Sequence, residues 1–238
     1  MKITIINGNE KKGVTFKLKE IFLKCFRENC EIIEFYLPKD CPTFCHGCTN
    51  CFKKGENNCP NNAYLTPIRN AILNADLLIF SSPTYVLHTT GAMKSFLDQM
   101  AFLFMPHRPH PAMFKKRAVI ITQCLGLGAK SAARDIQDSL SWWGISKINV
   151  FKTNLVKDIS WENLTEHKQK KITKKIERLA YKYARIHYGK PAHTNLKVKL
   201  RFYMCRIIQK FILKKQESLD SNYWLNQGWL GKKRPWKR

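Results

Sequence analysis

Asp76-Leu77-Leu78-Ile79-Phe80-Ser81-Ser82-Pro83-Thr84-Tyr85-Val86 is the stretch that decides the fold. Asp76–Ser81 (DLLIFS) holds four consecutive large apolar residues, the pattern of a short strand covered on both faces. Pro83 then stiffens a turn, and Thr89–Phe104 resumes with helical spacing. The same grammar repeats on either side. Lys2–Asn7, Cys30–Tyr36, Arg117–Thr122 and Lys147–Lys152 read as further strands. Val14–Arg27, Thr66–Ala75, Ala129–Trp143 and Leu164–His187 read as the intervening helices, with Pro67 in the first turn of the second. Five strands alternating with helices predict an α/β three-layer sandwich with a parallel sheet. Right-handed crossovers favour the flavodoxin-like order 2-1-3-4-5.

Ligands on such sheets bind beyond the carboxyl ends of the strands, near the switch point in strand order. Three loops lie there. The first, Asn7–Thr15 (NGNEKKGVT), leads a strand into a helix whose unpaired N–H groups and positive dipole end favour a phosphate. Asn9, Lys11 and Thr15 offer side-chain donors, and Gly8 and Gly13 allow close turns. Neither GxGxxG nor GxxxxGK[ST] is present, so the loop suits a mononucleotide-sized phosphate better than a dinucleotide. The second loop carries Tyr85, suited to covering a flat ring, with His88 beside it as a hydrogen-bonding or solvent-edge residue. The third is Thr122–Gly128 (TQCLGLG).

Of nine cysteines, Cys45, Cys48, Cys51 and Cys59 are clustered (CHGCTNC, then C after seven residues). Three readings are open for them: ligands of a [4Fe–4S] cluster, ligands of a structural zinc, or reduced thiols or a redox-active pair in a loop packed over the site. Cys25, Cys30, Cys124 and Cys205 read as isolated small apolar residues. The chain carries a formal net charge of +25, and from Lys190 onward thirteen Lys/Arg face only Glu217 and Asp220. Gly189-Lys190-Pro191 breaks the preceding helix, dividing residues 1–188 from a basic, aromatic extension at 189–238. Leu196–Lys215 has helical character, but its charges fall all round the wheel. Trp224, Trp229 and Trp236 are read as caps on the core or on a dimer partner. Binding to nucleic acid or an anionic membrane ranks behind that reading. The chain has no transmembrane segment by hydropathy, and the N-terminus reads as a strand instead of a leader, so a cytoplasmic protein is expected.

SSPTYVLHTTGAMKSFLDQM closely resembles the SPxY…K-x-F-x-D segment of NAD(P)H-dependent FMN reductases. The cysteine segment resembles the CxGCxxC…C of the iron–sulfur flavoprotein-like branch, and INGNEKKGVTFKL is similar to the family's phosphate loop. The resemblance covers roughly residues 1–150. It implies FMN with its phosphate near Asn9, Lys11, Gly13, Val14 and Thr15 and its ring against Pro83, Thr84, Tyr85 and Val86. Thr122, Gln123 and Gly126 would close the remaining ring edge. It also implies NAD(P)H as co-substrate, a small electron acceptor such as a quinone or flavin, and a homodimer or higher oligomer. No catalytic side chain is expected, because a flavin supplies the hydride chemistry and the protein positions it. The competing expectation is an electron carrier, or a binding protein whose basic tail docks on an acidic partner or nucleic acid.

Overall fold

Burial on both faces dictates how the central strands pack. The computed structural model describes residues 1–26, 30–155, 160–186 and 188–237. Among these, β1 (Lys2–Asn7), β2 (Glu31–Tyr36), β3 (Leu77–Pro83), β4 (Arg117–Cys124) and β5 (Lys147–Asn154) form one sheet in the order β2-β1-β3-β4-β5. Every neighbouring pair is parallel, and Ile6, Phe80, Ile120 and Val150 lie in register across it. All seven residues of β3 are buried, as its apolar run predicts. Side chains alternate between two cores. Ile6, Leu78, Phe80 and Ile120 pack against α3 (Asn62–Asn74), α4 (Gly91–Gln99) and α5 (Ala129–Trp142). Ile3, Ile5, Ile79 and Ile121 pack against α1 (Val14–Leu23) and α6 (Glu166–Ala184).

The structure moves several boundaries. The strands β3, β4 and β5 each run two residues beyond their expected ends, because Ser82 and Pro83 pair with Thr122 and Gln123, these with Lys152 and Thr153, and Cys124 with Asn154. Backbone pairing continues where side-chain polarity gives no sign of it. The helix α3 begins at Asn62, four residues before its expected start, so Pro67 lies inside the helix and not in its first turn. The segment Thr89–Phe104 divides into α4, capped by Thr90 Oγ1 accepting from the Met93 amide, and a 3-10 turn at Ala101–Leu103. The expected helix ends at Arg27 and His187 lie outside the described residues. A short helix, α2 (Asn50–Lys53), also forms within the cysteine segment.

Residues 189–237 pack on the sandwich through a third apolar cluster. The helices α7 (Leu196–Lys215) and α8 (Leu219–Asn226) bring Val198, Phe202, Cys205 and Trp224 against Met105 and Phe114, with Trp229 and Leu230 closing over them. The rings of Phe202 and Trp224 stack at 4.9 Å, and Trp229 meets Phe114 edge-on at 6.0 Å. The Trp224 indole donates to the His107 carbonyl at 2.7 Å, so its one polar atom is satisfied. The tryptophans thus cap the α/β core, as one of the two expectations for them held. Burial pushes the Cys205 thiol up to about 12, in keeping with an inert apolar residue. Trp224→Ala should lower unfolding stability in urea by about 3–5 kcal/mol, the usual cost of emptying a fully buried aromatic site.

Candidate functional site

The three loops expected to carry chemistry meet at the carboxyl ends of β1, β3 and β4, where they enclose a cleft of about 630 Å³. Its wall is formed by Asn9, Lys11, Gly13, Val14 and Thr15 from the first loop, by Pro83, Thr84, Tyr85, Val86 and Leu87 from the second, and by Gln123, Leu125, Gly126 and Leu127 from the third. Of the residues expected to hold FMN, only Thr122 stands apart from this lining. It is fully buried in β4, and its hydroxyl has no hydrogen-bond partner among the described residues. Leu125 and Leu127, within the expected third loop, form an apolar lip with Leu87, which was not among the expected ring contacts.

Each loop is fixed by a close backbone approach. A Cβ on Gly8 would stand 2.6 Å from Ser82 Oγ and 3.0 Å from Thr90 Oγ1, so only glycine fits there. The Gly8 amide donates to Ser81 O at 2.7 Å, and the Thr90 hydroxyl donates to Gly8 O at 2.6 Å. Gly128, at φ +101°, would place a Cβ 2.6 Å from Leu87 Cα and 2.7 Å from Thr84 Cγ2, joining the second and third loops. Asn154, at the end of β5, both donates to Gly126 O and accepts from its amide, holding the third loop against the sheet.

The second loop turns tightly. Tyr85 and His88 exchange backbone hydrogen bonds of 2.9 and 3.0 Å, leaving Val86 and Leu87 between them at φ 46° and 68°. A β-branched residue in the left-handed region is strained by an amount of order 1–3 kcal/mol, and such strain concentrates at ligand sites. Val86 is 95% exposed, so no packing within the described residues explains its place. His88 turns away from the cleft to Asp135, with Nδ1 3.1 Å from a carboxylate oxygen that also accepts from the Thr89 amide.

The first loop meets α1 at Gly13, which supplies no side-chain cap, so the first-turn amides of α1 face the cleft without an intrahelical partner. Behind the loop, Asn7 and Lys19 share one carboxylate. Lys19 Nζ lies 2.5 Å from Glu34 Oε2, and Asn7 Nδ2 donates to the same oxygen at 3.1 Å. Burial opposes the charge on Lys19, but hydrogen bonding and attraction to Glu34 prevail and raise its pKa. Burial likewise opposes the Glu34 charge, and the bonds from Lys19 and Tyr36 outweigh it, holding Glu34 below the usual carboxylate range. This network ties the end of β1 and the body of α1 to β2 on both sides of the phosphate-type loop.

Cys45, Cys48, Cys51 and Cys59 line one small cavity of about 70 Å³ beside Asp98 and Gln99. Gln99 donates to Thr43 O, and its Oε1 accepts from Asn61 at 2.6 Å and from Thr43. The four thiols do not converge on a point: among the described residues, no three His, Cys, Asp or Glu side chains could hold a metal ion together. That spread fits a single tetrahedral zinc poorly and leaves the thiol and larger-cluster readings. Burial pushes the Cys51 thiol up, and Cys59 and Cys45 add to this against Arg108. Arg108, itself nearly inaccessible, donates to the Cys51 carbonyl, to Asp220 of α8 and to Glu56 at 3.2 Å. His107 pairs with Asp220 at 2.7 Å and stacks on Phe52 at 4.1 Å. The C-terminal extension is therefore coupled to the cysteine loop through Asp220.

The cleft's features suit FMN. Uncapped amides with Lys11 and Thr15 offer donors to a phosphate, and Tyr85 offers a flat ring. The Thr84 hydroxyl and Gln123 Oε1, both buried, have no partner among the described residues and so are available to a heterocycle's polar edge.

Since Glu34 ionises more readily in the folded chain, its contribution is present above an unfolded pKa of about 4.3 and is lost as pH falls through the lower folded value. Glu34→Gln should lower stability at neutral pH and flatten the loss between pH 6 and pH 3, as read by urea unfolding at stepped pH.

The chain is 38% identical over 104 residues to "Iron-sulfur flavoprotein CD630_04720" of Clostridioides difficile, a match covering 42% of this chain and 45% of that protein. It is 28% identical over 139 residues to an "Iron-sulfur flavoprotein" of Archaeoglobus fulgidus, covering 58% and 59% respectively. The matches thus span about half the length of these relatives. In fold it is similar to an FMN-dependent NADH-azoreductase from Bacillus anthracis solved in complex with FMN, with TM-score 0.58 and 14% identity over 77% of this chain and 100% of that one. Residues 1–157 match the family described as NADPH-dependent FMN reductase, which is most of the chain and all of the cleft, and the chain belongs to that family.

Proposed function

We propose that this protein is an FMN-dependent oxidoreductase that takes electrons from NADH or NADPH and delivers them to a small acceptor, a quinone or a free flavin. The observation that carries the reading is a single cleft joining an uncapped helix N-terminus, at Gly13-Val14-Thr15, to the buried unpartnered groups of Thr84 and Gln123. FMN bound there would supply reversible hydride and electron transfer. The chain's own residues do the positioning. The amides of the α1 first turn, with Lys11 and Thr15, hold the phosphate. Asn9, whose amide reaches the Tyr85 hydroxyl at 3.4 Å, sets the tyrosine across the cleft. Leu87, Leu125 and Leu127 keep water from the ring edge while the mouth stays open to a flat donor or acceptor.

The four clustered cysteines, and the names of the two relatives above, favour a second element in this reading. Cys45, Cys48, Cys51 and Cys59 would hold an iron–sulfur cluster, which supplies a one-electron relay. Residues 1–188 would form the flavin-binding unit, with 189–238 as an extension bracing it.

Stopped-flow reduction under anaerobic conditions tests the activity, using protein preloaded with FMN. Either nicotinamide should bleach the flavin, and a quinone should restore its colour. Tyr85→Ala should loosen FMN by about 1–3 kcal/mol, by analogy with aromatic–base stacking, and leave reduction of the saturated protein in place. Failure of both NADH and NADPH to reduce bound FMN would favour a carrier reduced by another protein.

A further inference from the structure

Helix α7 is apolar on two opposite faces. Val198, Phe202 and Cys205 point into the third cluster, and Gln209, buried on the same face, donates to Pro106 O at 2.5 Å. Leu196, Leu200, Met204, Ile207, Ile208 and Phe211 point away from the protein, and Leu196 and Ile207 are each 70% exposed. At 3.6 residues per turn, Leu196, Leu200, Ile207 and Phe211 fall within an arc of about 60° along the helix. An unbroken outward stripe of this kind marks an interaction surface. Lysines border this arc on the wheel: Lys197 and Lys215 lie on one side, between Met204 and Ile208, Lys199 and Lys210 on the other, and exposed Lys214 follows in line with Leu196 past Phe211 at the C-terminal end of the stripe. The C-terminal loop adds more. Arg206 donates to the carbonyls of Trp229, Leu230 and Gly231, and Arg234 donates to the Tyr203 hydroxyl at 3.2 Å. Those bonds set exposed Lys232 and Lys233 beside the helix.

The geometry points to an anionic phospholipid surface as the occupant of this stripe, with α7 lying in the plane of the headgroups. Aliphatic and aromatic side chains would enter the acyl boundary, and the flanking lysines would extend to lipid phosphates. No helix among the described residues is long and apolar enough to cross a membrane, so the contact would lie on the bilayer and not through it. Charge complementarity selects this occupant. A second copy would bring two chains of net charge +25 together along lysine-edged stripes. A nucleic acid would leave the aliphatic centre with nothing apolar to cover it. The inference stands apart from the flavin reading.

The test is flotation of the full chain, with and without added FMN, on vesicles of mixed phosphatidylglycerol and phosphatidylcholine or of phosphatidylcholine alone. The protein should float with the anionic vesicles only, less at high salt, and equally with and without FMN. Lys197→Gln, Lys210→Gln and Lys215→Gln should each weaken partition about fivefold. Leu200→Ser with Ile207→Ser should lower it by about tenfold or more with an unchanged melting temperature, since both side chains already face solvent. Ile207→Ser alone serves if the pair melts early. No flotation on anionic vesicles would overturn the proposal. So would flotation that survives the serine substitutions, which would assign binding to charge alone. A lipid-free dimer dissociated by Ile207→Ser would instead give the stripe to a second copy.

Discussion

The contact of Gly8 with Ser82 and Thr90 is the constraint on which the rest of the site depends. At the switch point between β1 and β3 the chain leaves both strands at once, and the two loops must separate without a gap beneath them. The absence of a side chain on Gly8 lets Ser82 Oγ occupy the space a Cβ would take. Thr89 and Thr90 both reach Ser82 Oγ, and Thr90 also binds Gly8 O and caps α4. One compact set of hydrogen bonds therefore sets the first loop, the second loop and the start of a helix. Gly128 repeats the device between the second and third loops. The strained turn at Val86-Leu87 rests on this frame, with Asp135 holding its far end through His88 and Thr89.

The extension shows a different economy of construction. Its inward face completes a core that the sandwich alone leaves open at Met105 and Phe114. Asp220 then carries that packing to Arg108 and the cysteine loop. A basic segment with three tryptophans is thus structural on its inner side, and its net charge is displayed on the outer side. Surface charge and core packing are compatible because they occupy different faces of the same helix.

The sheet order and the cleft were legible in the sequence because both are written in short-range pattern. Runs such as DLLIFS mark buried parallel strands, and glycine–polar loops follow them at the carboxyl edge. What stayed hidden depends on long-range pairing. The burial of Thr122 comes from its place in a central strand covered on both faces, which its polar side chain does not announce. The early start of α3 is obscured by the polar Asn61-Asn62 pair, whose first asparagine bonds Phe44 O and Gln99 across the fold. The two-sided character of α7 cannot be read from the wheel alone, since nothing local shows which apolar face the rest of the chain covers.

The central claim is that the α1 N-terminus holds a phosphate while the second and third loops hold the ring. Calorimetric titration of the chain with FMN and with riboflavin, the same ring without its phosphate, tests this most directly. The account predicts that FMN binds at one equivalent and about a hundredfold or more tighter than riboflavin, as charge-assisted bonds of about 1.5–3 kcal/mol each require. Equal affinity for the two, or no binding of either, would contradict it.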